Sequence, residues 1–308
     1  MINWPRSIMR RPALTRRVTP FDPSASIEEH RKAINALFAG FGAVPKGVEV
    51  SPVLISSMRG EWVIPDGASA RRVLLYFHGG GFVAGSPEGH RPFVGTVALA
   101  TGARILVPQY RLAPEYPYPA ALRDAADAYR WLLSQGLQPQ HIIFAGDGSG
   151  GGLALSTLLA LRNAGLPLPA AAVCFSPWAD LTMSGWSVLK NAKNDESLSW
   201  EMLGVCARHY VRGASPAEPF ASPIFGDYRG LPPLMIHAGS LELLKDDASR
   251  IGDRAAAASV NVNVEVYEGM PHLFQGIPDL SEAKISMTRL ASFVKARTPD
   301  MQLRRAAQ

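Results

Sequence analysis

The sequence predicts an α/β protein in which a mostly parallel central sheet is flanked by helices. Short segments that are apolar throughout recur along the chain, and a segment with helical periodicity follows most of them. Strands that are apolar on both faces are typical of a buried parallel sheet, and strands that alternate with helices indicate βαβ units. Because 47% of the 308 residues are apolar, the chain can also bury one large core.

The first predicted element is a helix that begins after Ser26. Ser26 and Glu29 have the spacing of a capping box, and apolar residues then recur at helical spacing as far as about Phe41. The strand segments VEVSPVLI and GEWVIPDG follow from about Val48, and RRVLLYFHGG becomes apolar before it reaches a run of glycines. We expect this last segment to be a central parallel strand.

The alternation of strands and helices continues to near the end of the chain. The later strand segments are ARILVPQY, HIIFAG, AAAVCFSPW, PPLMIHAG and VNVEVYEG. A helix is predicted from Pro119 to Leu133, with the proline in its first turn and Gly136 after its end. Another helix, LALSTLLALRNAG, follows HIIFAG and ends at a glycine. These segments complete the pattern of a mostly parallel sheet.

The pattern changes between Ser184 and Gly213, where the helix SWEMLGVCARHYVRG occurs without an evident strand. We expect residues 185–213 and the N-terminal segment 1–45 to form a helical cap. Residues 46–308, within which the segment 185–213 is inserted, are predicted to be the catalytic domain. A cap of this kind would cover the carboxyl ends of the strands, where open α/β sheets bind their ligands.

Charge and cysteine content exclude several classes of protein. Residues 1–20 carry five arginines and no acid, which accounts for the net charge of +5. No basic stripe with interleaved aromatic residues runs through the rest of the chain, so nucleic-acid binding is not expected. Cys174 and Cys206 are the only cysteines, which argues against a disulfide framework and fits a reducing compartment. We find no metal-site motif, signal peptide or membrane span, and we expect a cytoplasmic protein without stable membrane insertion.

The segment HGGGF follows the apolar strand VLLYF. Its three glycines, Gly79, Gly80 and Gly81, allow the backbone to turn so that N–H groups point into a site, as the negatively charged intermediate of acyl transfer requires. A glycine run by itself is typical of a flexible turn, but one directly after a buried strand indicates an oxyanion hole. Phe82 and Val83 follow this loop, and we expect them to contact the substrate.

Three further segments indicate acyl-transfer chemistry. GDGSGG lies between a strand and a helix, which is the context of a nucleophile elbow. His272, in GMPHLF, follows the strand VNVEVY and could act as general base. Glu242, in SLELLKD, could orient that imidazole, although an acid here could instead favour the start of the next helix, a role that suits Asp246 better. The chain order of elbow, acid and histidine is that of α/β hydrolases.

These motifs resemble those of the bacterial hormone-sensitive-lipase-type (family IV) carboxylesterases. HGGGF is similar to the family's oxyanion motif, YRLAPEYPYPAALRDA to the segment after the next strand, ELLKD to its acid motif and GMPHLF to its histidine motif. The resemblance covers nearly the whole chain from about residue 45. It implies an α/β-hydrolase fold with a helical cap, and hydrolysis of short- to medium-chain acyl esters through an acyl-enzyme without a metal or organic cofactor.

The elbow departs from the family pattern. The family sequence is G-D-S-A-G-G, whereas this chain has G-D-G-S-G-G, and the flanking segments align without a gap. Gly148 therefore occupies the nucleophile position, and Ser149 occupies the next one, whose N–H contributes to the oxyanion hole in this fold. Because glycine tolerates the backbone angles of an elbow, we expect Gly148 to keep the apex and the Ser149 hydroxyl to point away from His272.

This departure leaves three hypotheses open. The site is disabled while its binding pocket is intact; Ser149 serves as nucleophile after a local rearrangement; or His272 and Glu242 activate a water molecule directly, with slow turnover. In the esterase-type site an ester carbonyl oxygen would face the N–H groups of Gly80, Gly81 and Ser149.

The alternative to an enzyme is a small-molecule-binding protein on the same fold. Plant gibberellin receptors resemble these esterases and have lost part of the catalytic triad, so a precedent exists. Gly148 favours this alternative, whereas His272 and Glu242 have no chemical use in a pure binder. The resemblance further implies a homodimer as a possible assembly, since family members often dimerise.

Overall fold

An eight-stranded sheet forms the centre of the computed structural model, which describes residues 21–277 and 279–299. The strands follow one another across the sheet in the order β1-β2-β4-β3-β5-β6-β7-β8. Their bounds are β1 Val48–Ile55, β2 Met58–Pro65, β3 Ser69–Phe77, β4 Ala103–Pro108, β5 Ile142–Asp147, β6 Ala171–Phe175, β7 Leu234–Gly239 and β8 Val262–Tyr267. The arginine-rich residues 1–20 lie outside the described part of the chain.

Strand direction follows the predicted pattern. β1 pairs with β2 and β2 with β4 in antiparallel register, and every other neighbouring pair is parallel. All residues of β5, β6 and β7 are buried, whereas in β1 only Ile55 is buried. Both faces of the central strands are therefore covered, which explains why these segments are apolar throughout.

The helices cover the sheet and extend beyond its carboxyl edge. Their bounds are α1 Ile27–Phe38, α2 Pro87–Thr101, α3 Ala120–Ser134, α4 Ser149–Asn163, α5 Ser187–Lys190, α6 Trp200–Val211, α7 Lys245–Ala257 and α8 Ser281–Arg297. α2 packs against α8, and α3 packs against α4. Within the described residues, no helix is both long and apolar enough to cross a membrane. The α/β fold that the sequence predicts is thus confirmed.

The helix boundaries differ slightly from the predictions. Ser26 and Glu29 form the predicted capping box, and Glu29 Oε2 accepts a hydrogen bond from the Ser26 backbone N–H at 2.9 Å. α1 ends at Phe38, and a 3₁₀ turn continues to Phe41. Pro119 caps α3 instead of lying in its first turn, so the prediction was one residue too early.

α1 is fixed to the loops after β3 and β4 by two polar side chains. Arg31 Nε donates a hydrogen bond to the Val83 carbonyl at 2.8 Å, and its Nη1 donates to the Glu115 carboxylate at 2.9 Å. Asn35 Oδ1 accepts from the Gly85 N–H at 2.8 Å. These contacts place the apolar face of α1 over the glycine loop that follows β3.

Candidate active site

Gly148 forms the apex of the turn between β5 and α4. Its backbone angles are φ +50° and ψ −118°, a region that residues with a side chain rarely adopt. The turn is tight, because a Cβ atom on Gly150 would lie 2.0 Å from the Phe77 carbonyl oxygen and one on Gly146 would lie 2.4 Å from the Gly150 carbonyl oxygen. The flanking glycines of the motif are therefore required by close backbone approach.

The first turn of α4 includes Ser149, whose side chain is buried. The Ser149 Oγ accepts a hydrogen bond from the Phe82 N–H at 3.3 Å. This contact directs the hydroxyl toward the glycine loop after β3. The structure thus has Gly148 at the apex and Ser149 inside the helix, without the rearrangement that a nucleophilic Ser149 would need.

His272 and Glu242 meet at the carboxyl ends of β8 and β7. The His272 Nδ1–H donates to Glu242 Oε2 at 2.6 Å. The other carboxylate oxygen, Oε1, accepts from the Gly239 N–H at 2.5 Å and from the Ser176 hydroxyl at 3.0 Å. Glu242 is completely buried, so these three donors fix its carboxylate and, through it, the plane of the imidazole.

Burial and pairing act in opposite directions on the two titratable groups. Burial acts to lower the pKa of His272, but the hydrogen bond and negative charge of Glu242 outweigh it, and the pKa is raised above its ordinary value. Burial raises the pKa of Glu242, and the neighbouring imidazole only partly offsets this effect. Because Nδ1 donates to Glu242, the neutral ring presents the lone pair of Nε2 to the site.

Nε2 of His272 points at the apex of the elbow. A Cβ atom on Gly148 would lie 3.7 Å from His272 Nε2 and 3.9 Å from Cε1, which are ordinary van der Waals contacts. The structure therefore brings together Gly148, His272 and Glu242, as the motif order predicts. A side chain of serine size fits at this position, although the positive φ would strain it.

Two of the three predicted N–H donors of the glycine loop after β3 remain available within the described residues. Gly80 and Gly81 have φ angles of +122° and +65°, and their N–H groups make no hydrogen bond within the described residues. The Gly79 N–H is instead engaged by Asp147 Oδ1 at 3.0 Å and by His90 Nε2 at 3.2 Å. Gly79 is thus a correction to the predicted oxyanion hole, because its donor is already used to hold the loop.

Ser149 provides a third backbone donor. As the first residue of α4, it has no acceptor for its N–H within the helix. Gly80, Gly81 and Ser149 all line one cavity with Gly148 and His272. The positive end of the helix dipole also points into this cavity, which favours negative charge there.

A buried polar network supports the glycine loop, and sequence reasoning missed most of it. Asp147 Oδ1 accepts from the Tyr76 hydroxyl at 2.7 Å in addition to Gly79. The Tyr110 hydroxyl donates to the His78 carbonyl at 2.6 Å, and the two rings stack at 4.3 Å. Burial lowers the pKa of His78 to about 3, so its ring is neutral and positions the loop. Tyr76 and Tyr110 carried no local signal, because only the fold brings them to this loop.

The cavity at the site has a volume of about 140 Å³ and is mostly apolar. α1 and the turn after it form one wall, and α6 with the segment before it forms another. The apolar side chains that line it are Ile34, Leu37, Phe38, Phe41, Trp178, Leu198, Met202, Leu203, Cys206, Leu244, Leu273 and Ile277. Both predicted cap segments thus contribute to the enclosure of the site.

Phe82 and Val83 are predicted to contact the substrate, but they are not among the residues that line this cavity. Phe82 is buried and stacks on Tyr210 of α6 with ring centroids 3.8 Å apart, and Val83 is completely buried. Phe82 has a positive φ of +64°, and its ring lies against Tyr210 of α6. These two residues therefore join the glycine loop to the cap.

The segment between α5 and α6 also holds the loop that carries Glu242. Asn191 Nδ2 donates to the carbonyls of Ser240 and Glu242 at 3.0 and 2.9 Å. Asp195 Oδ2 accepts from the Leu243 N–H at 2.7 Å. Both side chains are buried, and neither was singled out from the sequence because nothing local links them to a loop about 50 residues away.

Comparisons with known proteins agree with this geometry. A family model described as "alpha/beta hydrolase fold" matches residues 74–276. An "Acetyl-hydrolase" of Streptomyces hygroscopicus is 40% identical over 278 residues, which cover 89% of this chain and 92% of the relative. An "Esterase" of Acinetobacter venetianus is 37% identical, with coverage of 80% and 82%.

A solved structure described as an esterase from the bacterial hormone-sensitive lipase family superimposes with a TM-score of 0.86. It is 39% identical in sequence, and the match covers 90% of this chain and 93% of that one. The resemblance inferred from the motifs is thereby confirmed. The chain belongs to the α/β-hydrolase family and, within it, to the bacterial hormone-sensitive-lipase-type esterases.

Proposed function

We propose that this chain binds short- to medium-chain carboxylic esters in an esterase-type site from which the nucleophilic side chain is missing. The observation that carries the proposal is Gly148 at the apex, with the direction of its absent side chain leading to His272 Nε2 at 3.7 Å. The acyl-enzyme route requires a hydroxyl at that point. Everything else that the route uses is present around it.

The steps that a serine at position 148 would allow follow from the neighbouring groups. His272 Nε2 would take the hydroxyl proton while the oxygen attacks the ester carbonyl, and the resulting oxyanion would be held by the N–H groups of Gly80, Gly81 and Ser149. His272 would then give its proton to the leaving alcohol. Water would hydrolyse the acyl-enzyme through the same base.

Ser149 is a poor substitute for this nucleophile. Its hydroxyl accepts the Phe82 N–H, and its own backbone N–H is needed as an oxyanion donor. Moving Ser149 to the apex would also unwind the first turn of α4. We therefore prefer the hypothesis in which position 148, and not position 149, decides whether an acyl-enzyme can form.

The size and lining of the cavity support small acyl groups as ligands. A volume of about 140 Å³ with mostly apolar walls suits a short aliphatic chain better than a long one. The relatives named above as an acetyl-hydrolase and an esterase support the same class of substrate. A pure binding function is the second candidate, and the glycine at position 148 is the observation that favours it.

The test compares the chain as written with two variants, Gly148→Ser and Gly148→Ala, using p-nitrophenyl butyrate. We expect Gly148→Ser to raise kcat by about 10³-fold or more, and a fluorophosphonate probe to label it at the new hydroxyl. Gly148→Ala is the matched control, because it adds the same backbone strain without a hydroxyl. Both variants should lose about 1–3 kcal/mol of unfolding free energy, measurable by urea denaturation.

Two results would contradict the proposal. A folded Gly148→Ser variant that neither hydrolyses the ester nor reacts with the probe would show that this is not an esterase site. Labelling of the chain as written, lost in Ser149→Ala, would assign the nucleophile to position 149 instead.

A further inference from the structure

The space beside Gly148 is open and faces a base. Among the atoms of the described residues, apart from the chain neighbours of Gly148, only Nε2 and Cε1 of His272 would lie within 4 Å of a Cβ at this position. The volume that a hydroxymethyl group would fill therefore lies between the apex backbone and the imidazole. A water molecule or another small neutral nucleophile is of this size.

We propose that the chain as written is a direct acyl-transfer catalyst, in which a water molecule or a small neutral nucleophile occupies this space and attacks a bound ester without an acyl-enzyme. The inference rests on the proposed function, since it requires that the cavity binds carboxylic esters. The inference adds a second substrate, the small nucleophile, and assigns the space beside Gly148 as its binding site.

The first argument is the direction of the base. Nδ1–H of His272 is bound to Glu242 at 2.6 Å, so Nε2 is the atom free to accept a proton. Glu242 raises the pKa of His272 despite burial, which strengthens the imidazole as a base. A nucleophile in the open space would thus be hydrogen-bonded to Nε2, as general-base activation requires.

The second argument is that the groups which stabilise the intermediate do not depend on a side chain at position 148. The N–H groups of Gly80, Gly81 and Ser149 belong to the backbone, and the loop that carries the first two is braced by Asp147. The Ser149 hydroxyl is engaged by the Phe82 N–H instead of by His272. The oxyanion site is consequently complete in the chain as written.

The proposed reaction balances without any further reagent. The attacking atom, which is oxygen in water and nitrogen in hydroxylamine, forms a bond to the ester carbonyl carbon while one of its protons passes to His272 Nε2, and the carbonyl electron pair moves onto the oxygen held by the N–H groups. The intermediate then collapses, the bond to the alcohol oxygen breaks, and His272 returns the proton to that oxygen. With water the products are a carboxylic acid and an alcohol; with hydroxylamine, which attacks through nitrogen, they are a hydroxamate and the alcohol.

The test measures p-nitrophenol release from p-nitrophenyl butyrate, with and without hydroxylamine, after subtraction of the reaction without protein. We expect the chain as written to turn over slowly, without a burst and without fluorophosphonate labelling. Hydroxylamine should increase the rate with saturation and yield butyryl hydroxamate. The proposed space holds the nucleophile beside both the base and the bound ester. The rate increase caused by hydroxylamine should therefore exceed its increase in the reaction without protein.

Two variants assign the activity to the open space and its base. Gly148→Ala places a methyl group where the nucleophile would lie, and we expect the rate to fall by about tenfold or more. His272→Asn removes the base, with an expected loss of about 10²-fold. Both should still bind the unreactive amide N-(4-nitrophenyl)butyramide as a competitor, which shows that the cavity is intact.

The outcomes separate this inference from the proposed function. Direct transfer is wrong, while ester binding stands, if Gly148→Ser hydrolyses the ester but the chain as written does not. The same conclusion follows if Gly148→Ala or His272→Asn hydrolyses the ester as fast as the chain as written. If a folded Gly148→Ser is also silent and none of the proteins binds the amide, the proposed function fails. Labelling of Ser149 by the probe would also overturn direct transfer.

Discussion

Gly148 has the backbone conformation of a nucleophile elbow but lacks the hydroxyl group that a serine would add. A serine there would supply a nucleophile and would also hold its backbone at φ +50°, whereas glycine adopts this angle without the steric cost of a Cβ. The chain thus keeps the elbow geometry at lower strain and gives up the hydroxyl. The His272–Glu242 pair and the backbone donors do not depend on that choice, since other parts of the chain hold them.

At the same scale, the Glu242 carboxylate sets the pH at which His272 is an effective base. In the Gly148→Ser background we expect kcat/KM to fall as the pH is lowered, with a midpoint above the ordinary imidazole pKa of about 6.5, because the raised pKa keeps His272 protonated to higher pH. Glu242→Gln removes the charge that raises this pKa. The midpoint should then move to lower pH, and kcat should fall by about 10²–10⁴-fold as the imidazole loses its orientation.

A pH–rate profile of both proteins checks this prediction. Asp195 and Asp147 also act to raise the pKa of His272, so the midpoint in Glu242→Gln reports the balance between these charges and burial. An unchanged midpoint would mean that Glu242 does not control the protonation of His272.

Single-residue roles could be predicted from the sequence only where a motif fixes the neighbours. The gap-free flanks of GDGSGG predict Gly148 at the apex, and the structure has it there. The roles predicted for Gly79 and Phe82 depend on partners from elsewhere in the chain, which the motif does not contain. Gly79 donates to Asp147, and Phe82 packs on Tyr210, and neither contact has a local signature.

At the scale of elements, the segment between α5 and α6 joins the wall of the cavity to the loop that carries Glu242. Ser197 and Leu198 line the cavity, and Asp195 accepts hydrogen bonds from both of their N–H groups at 2.9 Å while it also accepts from Leu243. Asn191 holds the same loop through two carbonyls. A ligand that displaces this wall would therefore also displace the loop that carries Glu242.

Asn191→Ala tests this connection in the Gly148→Ser background. We expect kcat to fall by about 10–100-fold with a smaller change in KM, because the Glu242 loop loses two hydrogen bonds and the imidazole is held less well. Asn194→Ala is the matched control, since this asparagine lies in the same segment and is exposed. Equal kinetics for the two variants, measured with p-nitrophenyl butyrate, would remove Asn191 from the support of the acid.

Element boundaries were predictable where apolar pattern and caps agree. The eight strands and α1, with its Ser26–Glu29 box, were predicted because strand burial and helix capping are written into neighbouring residues. The antiparallel pairing of β1 and β2 at one edge, and the insertion of β4 between β2 and β3, were not predicted. Strand order depends on contacts between distant segments, which periodicity does not encode.

For the whole molecule, the structure divides into a rigid sheet and a cap with fewer supports. β5 lies between β3 and β6 with every residue buried, whereas in α1 only His30, Ile34 and Phe38 are buried and the side chains of Arg31 and Asn35 hold the helix to neighbouring loops. We expect amide hydrogens of β5 and β6 to exchange last and those of α1 first, because α1 packs through only one of its faces whereas both strands are completely buried. Hydrogen exchange followed by mass spectrometry checks this order.

Hydrogen exchange can also be compared with and without a bound ligand. N-(4-nitrophenyl)butyramide should slow exchange in α1 and in residues 195–206, which line the cavity, and leave β5 unchanged. Protection of α1 equal to that of β5 without ligand would contradict the division into sheet and cap.

The open space beside Gly148 has a further consequence for how the molecule can be observed. Typical enzymes consume a bound substrate within about a millisecond to a second, so the complex that precedes reaction is rarely visible. A chain that lacks the attacking side chain holds its ester intact for much longer. Crystals soaked with a simple ester would then reveal whether the alcohol half lies toward α1 or toward α6, and hence by which opening the first product departs.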